Sequence, residues 1–282
     1  MPFVSANSLE AGDRPTRRDL WLMALAAIAV RLLFVVITAR ARHLSLPEYA
    51  AVGDGHSYLD YARLIGGERK SLDAGDERLF PGFPALIALL HLVKIPLWLG
   101  ALGLTWLTAG ISAAAGAELF RSRRVGWGLV FLIPDYVLIT AVASTEGPVL
   151  ALTLLGLLVA VRGRGAVSIV SAGLLLGVAG VVRPMACFAV IGYGIHALML
   201  RQPKRALAIG LGSLLVVALA LLGMHQLFGD ALVGTKAYAH DAYHGQLFSW
   251  PFASIVMTPR RSRVPVLKVG LVWAHVLLAL TA

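Results

Sequence analysis

The chain has 282 residues, 58% of them hydrophobic and only 14% charged, against roughly 25% charged in soluble domains. One water-soluble core cannot absorb that much apolar surface, so a soluble enzyme and a disordered chain are excluded. The single cysteine, Cys187, excludes an intrachain disulfide and a Cys-based metal cluster. The net charge of +10, from 25 Lys plus Arg against 15 Asp plus Glu, points in so apolar a chain to inside loops and lipid headgroups rather than to nucleic acid.

A spanning helix needs about 20 mostly apolar residues to cross roughly 30 Å of hydrocarbon. After an N-terminal tail, 1–19, carrying Arg14, Arg17 and Arg18, the first candidate runs from 20 to 39. It is longer than the usual signal-peptide core of about 7–15 residues and contains Arg31, so it reads as a retained helix. Further apolar segments follow at 97–119, 125–142, 147–161, 166–182, 185–200, 206–228 and 265–281. The expectation is therefore an all-α polytopic membrane protein of about eight spans, with residues 20–282 forming a single transmembrane domain.

Charge placement orients it. With the N-terminus inside, Arg14, Arg17, Arg18, then Arg121, Arg123, Arg124, then Arg162, Arg164, then Arg201, Lys204, Arg205 all fall on the inner face. Short basic clusters at alternate turns are what the positive-inside rule requires. A multi-pass protein of a bacterial plasma membrane with a cytoplasmic N-terminus is the expected location. Two long polar segments, about 40–95 and 229–264, then face outside. In the first, Tyr58, Tyr61, Ala62 and Ile65 recur at helical spacing, which predicts a short interfacial helix. Phe80-Pro81-Gly82-Phe83-Pro84 leads into a second apolar stretch, 85–93, too short to span.

Three constellations carry candidate chemistry. Gly53-Asp54-Gly55-His56-Ser57-Tyr58 presents a carboxylate at a tight turn before a helix, where partial desolvation favours general-base behaviour. The alternative is a plain helix cap. Ser144-Thr145-Glu146-Gly147-Pro148 places an acid at an outer helix start; there it suits the macrodipole, or it serves a site. Arg183-Pro184 sets a guanidinium between two outer helix ends, able to meet a carboxylate or phosphate in a fork, or to snorkel to headgroups. Arg31 and Asp135 lie inside predicted spans, where pairing is open to them. Asp54 and His56 could share a divalent cation with Glu146, but without a ligand-spacing signature the metal stays open.

In this order, the motifs resemble those of the GT-C membrane glycosyltransferases, and within them the second mannosyltransferases of glycosylphosphatidylinositol-anchor synthesis and their bacterial relatives. The residues concerned are Asp54, Leu79 to Pro84, Ser144 to Glu146, and Gly177 to Arg183, within about 15–200. Gly53 stands where that family has Trp, Thr145 intervenes between Ser and Glu, and the chain is short for the family. The resemblance implies a sugar, mannose by closest likeness, transferred with inversion from a polyprenyl-phosphate carrier to an acceptor hydroxyl on the outer face. It implies Asp54 and Glu146 as catalytic residues. His56, Tyr58 and Arg183 are implied in substrate binding, with Arg260, Arg261 and Arg263 as further cations. Membrane lipid is an expected partner and nucleic acid is not; the acceptor is open. The alternatives are a transporter or lipid flippase, which calls for charge at mid-bilayer, and a non-catalytic, truncated GT-C-like membrane subunit.

Overall fold

A run of apolar sequence turns into helix wherever it is long enough to satisfy its own backbone, and the computed structural model follows that rule. It describes residues 13–73, 76, 79–132, 134–234 and 236, all within one compact unit spanning 1–237. The described residues hold helices and no strands. Helix α1 is Arg17–Ala41, α2 Leu46–Ala50, α3 Gly55–Ile65, α4 Gly82–Leu92 and α5 Leu97–Phe120. They are followed by α6, Arg123–Trp127, a π-helical turn Gly128–Leu132, and α7, Pro134–Ile139. Helix α8 is Glu146–Arg162, α9 Ala166–Val182, α10 Cys187–Met199 after a 3-10 turn Pro184–Ala186, and α11 Pro203–Phe228.

Three of these, α1, α5 and α11, are long and apolar enough to cross a membrane. At 25, 24 and 26 residues each rises roughly 36–39 Å, against a hydrocarbon core of about 30 Å. The expected segments at 147–161, 166–182 and 185–200 also form helices, at 17, 17 and 13 residues. The last expected span, 265–281, lies outside the described residues. Both stretches expected to be short helices are helical: Tyr58 to Ile65 falls in α3, and the short apolar stretch forms α4, which begins at Gly82.

Burial separates the packed face of α1 from its exposed face. On α1, Met23, Ala27, Arg31, Val35 and Ala39 recur every four residues and are buried, while Leu25, Leu33 and Ile37 on other faces are 58–61% exposed. A helix apolar on its exposed side fits a lipid surround. Inside, small residues bring backbones together. Helices α9 and α11 meet at Gly173 and Gly177, where an added Cβ would lie 2.7 Å from the Ile209 carbonyl and 2.9 Å from Ser213 Cα. The Ser213 hydroxyl donates to the Gly173 carbonyl at 2.9 Å across that contact. Small-residue faces of this kind hold membrane helices by close packing. The core helix α5 follows the same rule, burying Ala101, Thr105, Ala109, Ala113 and Ala117 against α1 and α8.

One expectation needs correction. Residues 125–142 do not form a continuous span; they break into α6, the π turn and α7. Pro134 has no N–H, so the Val130 carbonyl loses its normal helical donor. Arg31 supplies one: its Nη1 donates to the Val130 and Ala27 carbonyls, each at 3.2 Å, and its Nη2 to the Leu129 carbonyl at 3.1 Å. Its Nε donates to the Thr140 hydroxyl at 3.0 Å, and its guanidinium sits 5.3 Å from the Tyr136 ring centre. A fully buried arginine therefore secures a broken helix. The Asp135 side chain lies outside the described part of the structure.

Candidate functional site

The short turn before α3 is built from its neighbours. Ser45 and Glu48 form a capping box that starts α2: the Ser45 amide donates to Glu48 Oε2 at 2.7 Å. Helix α2 then delivers the chain to Gly53, whose φ of +64° is the left-handed region that glycine enters without strain. Gly55 is buried so tightly that a Cβ would collide with the Ala50 carbonyl. Asp54 is thus held at a turn with its side chain exposed to solvent.

Asp54 sits at the N-cap position of α3, yet its backbone is helical (φ −73°, ψ −3°) and its carboxylate makes no capping hydrogen bond. Among the described residues no hydrogen bond or ion pair engages that carboxylate. Of the two local readings, cap or free carboxylate, the geometry is that of the free carboxylate. Its neighbour His56 is also exposed; Nδ1 lies 2.8 Å from the Gly53 carbonyl and Nε2 3.1 Å from the Ser57 hydroxyl. In the neutral ring Nδ1 then carries the proton and Nε2 accepts from Ser57.

Tyr58, one turn into α3, is 7% exposed and packs edge-on against Phe83 of α4, with centroids 5.1 Å apart and planes at 86°. Such a pair adds about 0.5–1.5 kcal/mol beyond area burial. Burial pushes the Tyr58 phenol up to about 12; the Asp54 and Glu146 carboxylates push the same way, while side-chain hydrogen bonding with Thr145 and the Arg183 charge oppose them. Tyr58 therefore stays protonated at neutral pH: it can donate a hydrogen bond but cannot serve as a base. That one phenol feels Asp54, Thr145, Glu146 and Arg183 together, so segments far apart in sequence converge on it.

Glu146 is the first residue of α8 and Arg183 directly follows α9. The two form an ion pair through Arg183 Nη1 and Glu146 Oε1, with side chains 44% and 32% exposed. A pair this open contributes only about 0–1 kcal/mol to stability, so it orients the guanidinium more than it holds the fold. Helix α4 reaches this point because Gly82 has no side chain: a Cβ would lie 2.5 Å from the Val182 nitrogen and 2.6 Å from the Val181 carbonyl carbon. Beside Arg183 opens an apolar cleft of about 170 Å³, lined by Phe80, Pro81, Val181, Pro184 and Leu221 among others.

Of the sequence-predicted site residues, the structure brings Asp54, Tyr58, Glu146 and Arg183 together and sets His56 at the same turn. Arg260, Arg261 and Arg263 lie outside the described residues, as does most of the polar segment 229–264. Among the described residues no three His, Cys, Asp or Glu side chains gather as a metal-ligand set. The sequence reading passed over Phe83 and Thr145 as neighbours of Tyr58, although both sit within motifs it had singled out. Tyr61, which the sequence places on the short helix, is fully buried, and its hydroxyl donates to Met224 Sδ at 2.9 Å, tying α3 to α11.

Comparison with protein-family models, curated proteins and solved structures finds no match to this chain.

Proposed function

We propose that this chain is an integral-membrane glycosyltransferase of GT-C type that takes a sugar from a polyprenyl-phosphate carrier on the outer face of a bacterial plasma membrane. The observation that carries the reading is that a free Asp54 carboxylate and the Glu146–Arg183 pair both act on the one buried Tyr58 phenol. In this reading Asp54 takes the proton of the acceptor hydroxyl as that oxygen bonds to the anomeric carbon. The bond from that carbon to the carrier phosphate breaks, and its electron pair stays on the phosphate oxygen. Charge therefore develops on the phosphate, where Arg183, oriented by Glu146, stabilises it. The apolar cleft beside Arg183 offers the carrier's hydrocarbon end a place next to its phosphate. Eight spans, a cytoplasmic N-terminus and mannose as the sugar belong to the same proposal. A transporter would need working charge at mid-bilayer, whereas the buried Arg31 gives its donors to the carbonyls and hydroxyl around a broken helix.

Asp54→Asn tests the reading. Asparagine keeps the shape but cannot take a proton, and loss of a general base typically costs about 10²–10⁴ in rate. With a panel of labelled polyprenyl-phosphate sugars, the variant should bind donor as the parent does and transfer sugar slower by that factor. Normal turnover would remove Asp54 from the chemistry. No transfer by the parent from any donor would remove the function.

A further inference from the structure

A second concentration of charge lies at the other end of the helices that carry Glu146 and Arg183. Helix α8 runs from Glu146 to Arg162, and α9 from Ala166 to Val182 just before Arg183; 17 residues of helix separate the two ends by roughly 25 Å. There an open cavity of about 800 Å³ is lined by Arg14, Arg121, Arg162, Arg164 and Arg205, with Glu118 its one acid. These residues come from the tail before α1, the end of α5, the α8–α9 turn and the start of α11. Arg162 is paired with Glu118, and Arg205 donates to the Gly163 carbonyl at 2.8 Å. Arg14, Arg121 and Arg164 are exposed and, among the described residues, engage no carboxylate or carbonyl.

Loop arginines that only orient a membrane protein need no common cavity; a general positive surface serves as well. Here five arginines from four segments converge on one space with a single acid among them. Guanidinium is the side chain best shaped to bind phosphate in a fork. Apolar surface adjoins it: Leu119 and Val161 line the cavity, Val161 at 56% exposure, and Phe120, next in sequence to the lining residues Leu119 and Arg121, is 62% exposed. A ligand with phosphates beside acyl chains covers both surfaces, and basic recesses at the inner ends of membrane helices take acidic phospholipid headgroups on this principle.

We propose that this cavity binds the headgroup of an acidic phospholipid carrying more than one phosphate, such as diphosphatidylglycerol. The site stands apart from the glycosyltransferase reading, since none of its residues belongs to the Asp54 site.

The full-length protein, purified in detergent, would be incubated with diphosphatidylglycerol or with phosphatidylcholine, and retained lipid measured by native mass spectrometry. Arg121→Gln with Arg164→Gln removes two unpartnered guanidinium groups without breaking a described contact. Each surface arginine contributes roughly fivefold to acidic-lipid binding, so the pair should lower diphosphatidylglycerol affinity by about thirtyfold. The charge-matched control, Arg124→Gln with Lys204→Gln, changes exposed residues outside the cavity and should leave it unaltered. If the first pair lowers the thermal unfolding temperature, Arg14→Gln takes its place, with about a fivefold loss expected. Equal losses in the cavity and control pairs, or equal retention of phosphatidylcholine, would overturn the proposal. Inorganic pyrophosphate, added as competitor, separates the sources: displacement of the lipid at equal concentration would make a soluble anion the ligand and sink the lipid assignment.

Discussion

At the scale of single residues, the informative contrast is between two carboxylates and a phenol. Glu146 is committed to Arg183, Tyr58 is held protonated by burial, and Asp54 is left without a described partner. A proton acceptor must be unengaged, and of the three Asp54 alone has no partner among the described residues. Arg183 is the complementary residue, and its test depends on shape rather than charge. Lysine keeps the positive charge but loses the planar fork. A charge-assisted hydrogen bond contributes about 1.5–3 kcal/mol, so Arg183→Lys should weaken binding of a polyprenyl-phosphate donor by about ten- to a hundredfold. Donor titrations of the two proteins check this; coincident curves would mean that Arg183 meets headgroups only through its charge. The sequence order of motifs singled out Asp54, Glu146 and Arg183. It could not show that Thr145 and Phe83 flank Tyr58, because both contacts join separate helices.

At the scale of elements, the site depends on how closely α4 approaches the end of α9. The Phe80-Pro81-Gly82-Phe83-Pro84 motif acts here as a packing device: Gly82 lets the α4 start rest on the Val181–Val182 backbone, and Phe83 in the next position braces Tyr58. Gly82→Ala meets backbone atoms rather than a flexible side chain, so one helix end must shift. Overpacking of this kind costs about 1–3 kcal/mol. The expected outcome is a lower unfolding temperature in detergent together with reduced transfer activity, while Gly103→Ala, where an added Cβ meets nothing, changes neither. If Gly82→Ala matches the parent in both measurements, the approach of α4 to α9 does not shape the site. The same scale explains the broken segment at 125–142. Hydropathy treats it as one apolar run, whereas the missing N–H of Pro134 and the reach of Arg31 across from α1 decide that it kinks.

For the whole molecule, the proposed orientation rests on charge at the two ends of α8 and α9. One end carries the Asp54, Glu146 and Arg183 side chains; the other carries the arginine-lined cavity. In that proposal the positive-inside rule assigns the second end to the cytoplasm. Single cysteines introduced as Asp54→Cys or Ser122→Cys, in a Cys187→Ser background that removes the exposed native thiol, decide the matter with an impermeant thiol reagent on intact cells. Labelling at 54 and protection at 122 is the expected pattern; the reverse would invert the topology and take the outer-face transferase reading with it.

Composition and hydropathy by themselves determined that the described residues are helical, that several helices are apolar enough to cross a membrane, and nearly where the long ones lie. These follow from the cost of unpaired backbone in an apolar medium, a constraint that acts locally and so can be read from a linear pattern. The two short helices between α1 and α5, α3 and α4, were legible for the same reason. Tertiary structure alone decided that the Asp54 carboxylate makes no capping hydrogen bond and that Arg31 donates to the carbonyls of a broken helix. It also gathered arginines from four loops into one cavity. Each depends on contacts between segments distant in sequence, and those are set by the close packing of small-residue faces such as Gly173 and Gly177 against α11. Hydropathy records how apolar such a face is, but not which helix it meets.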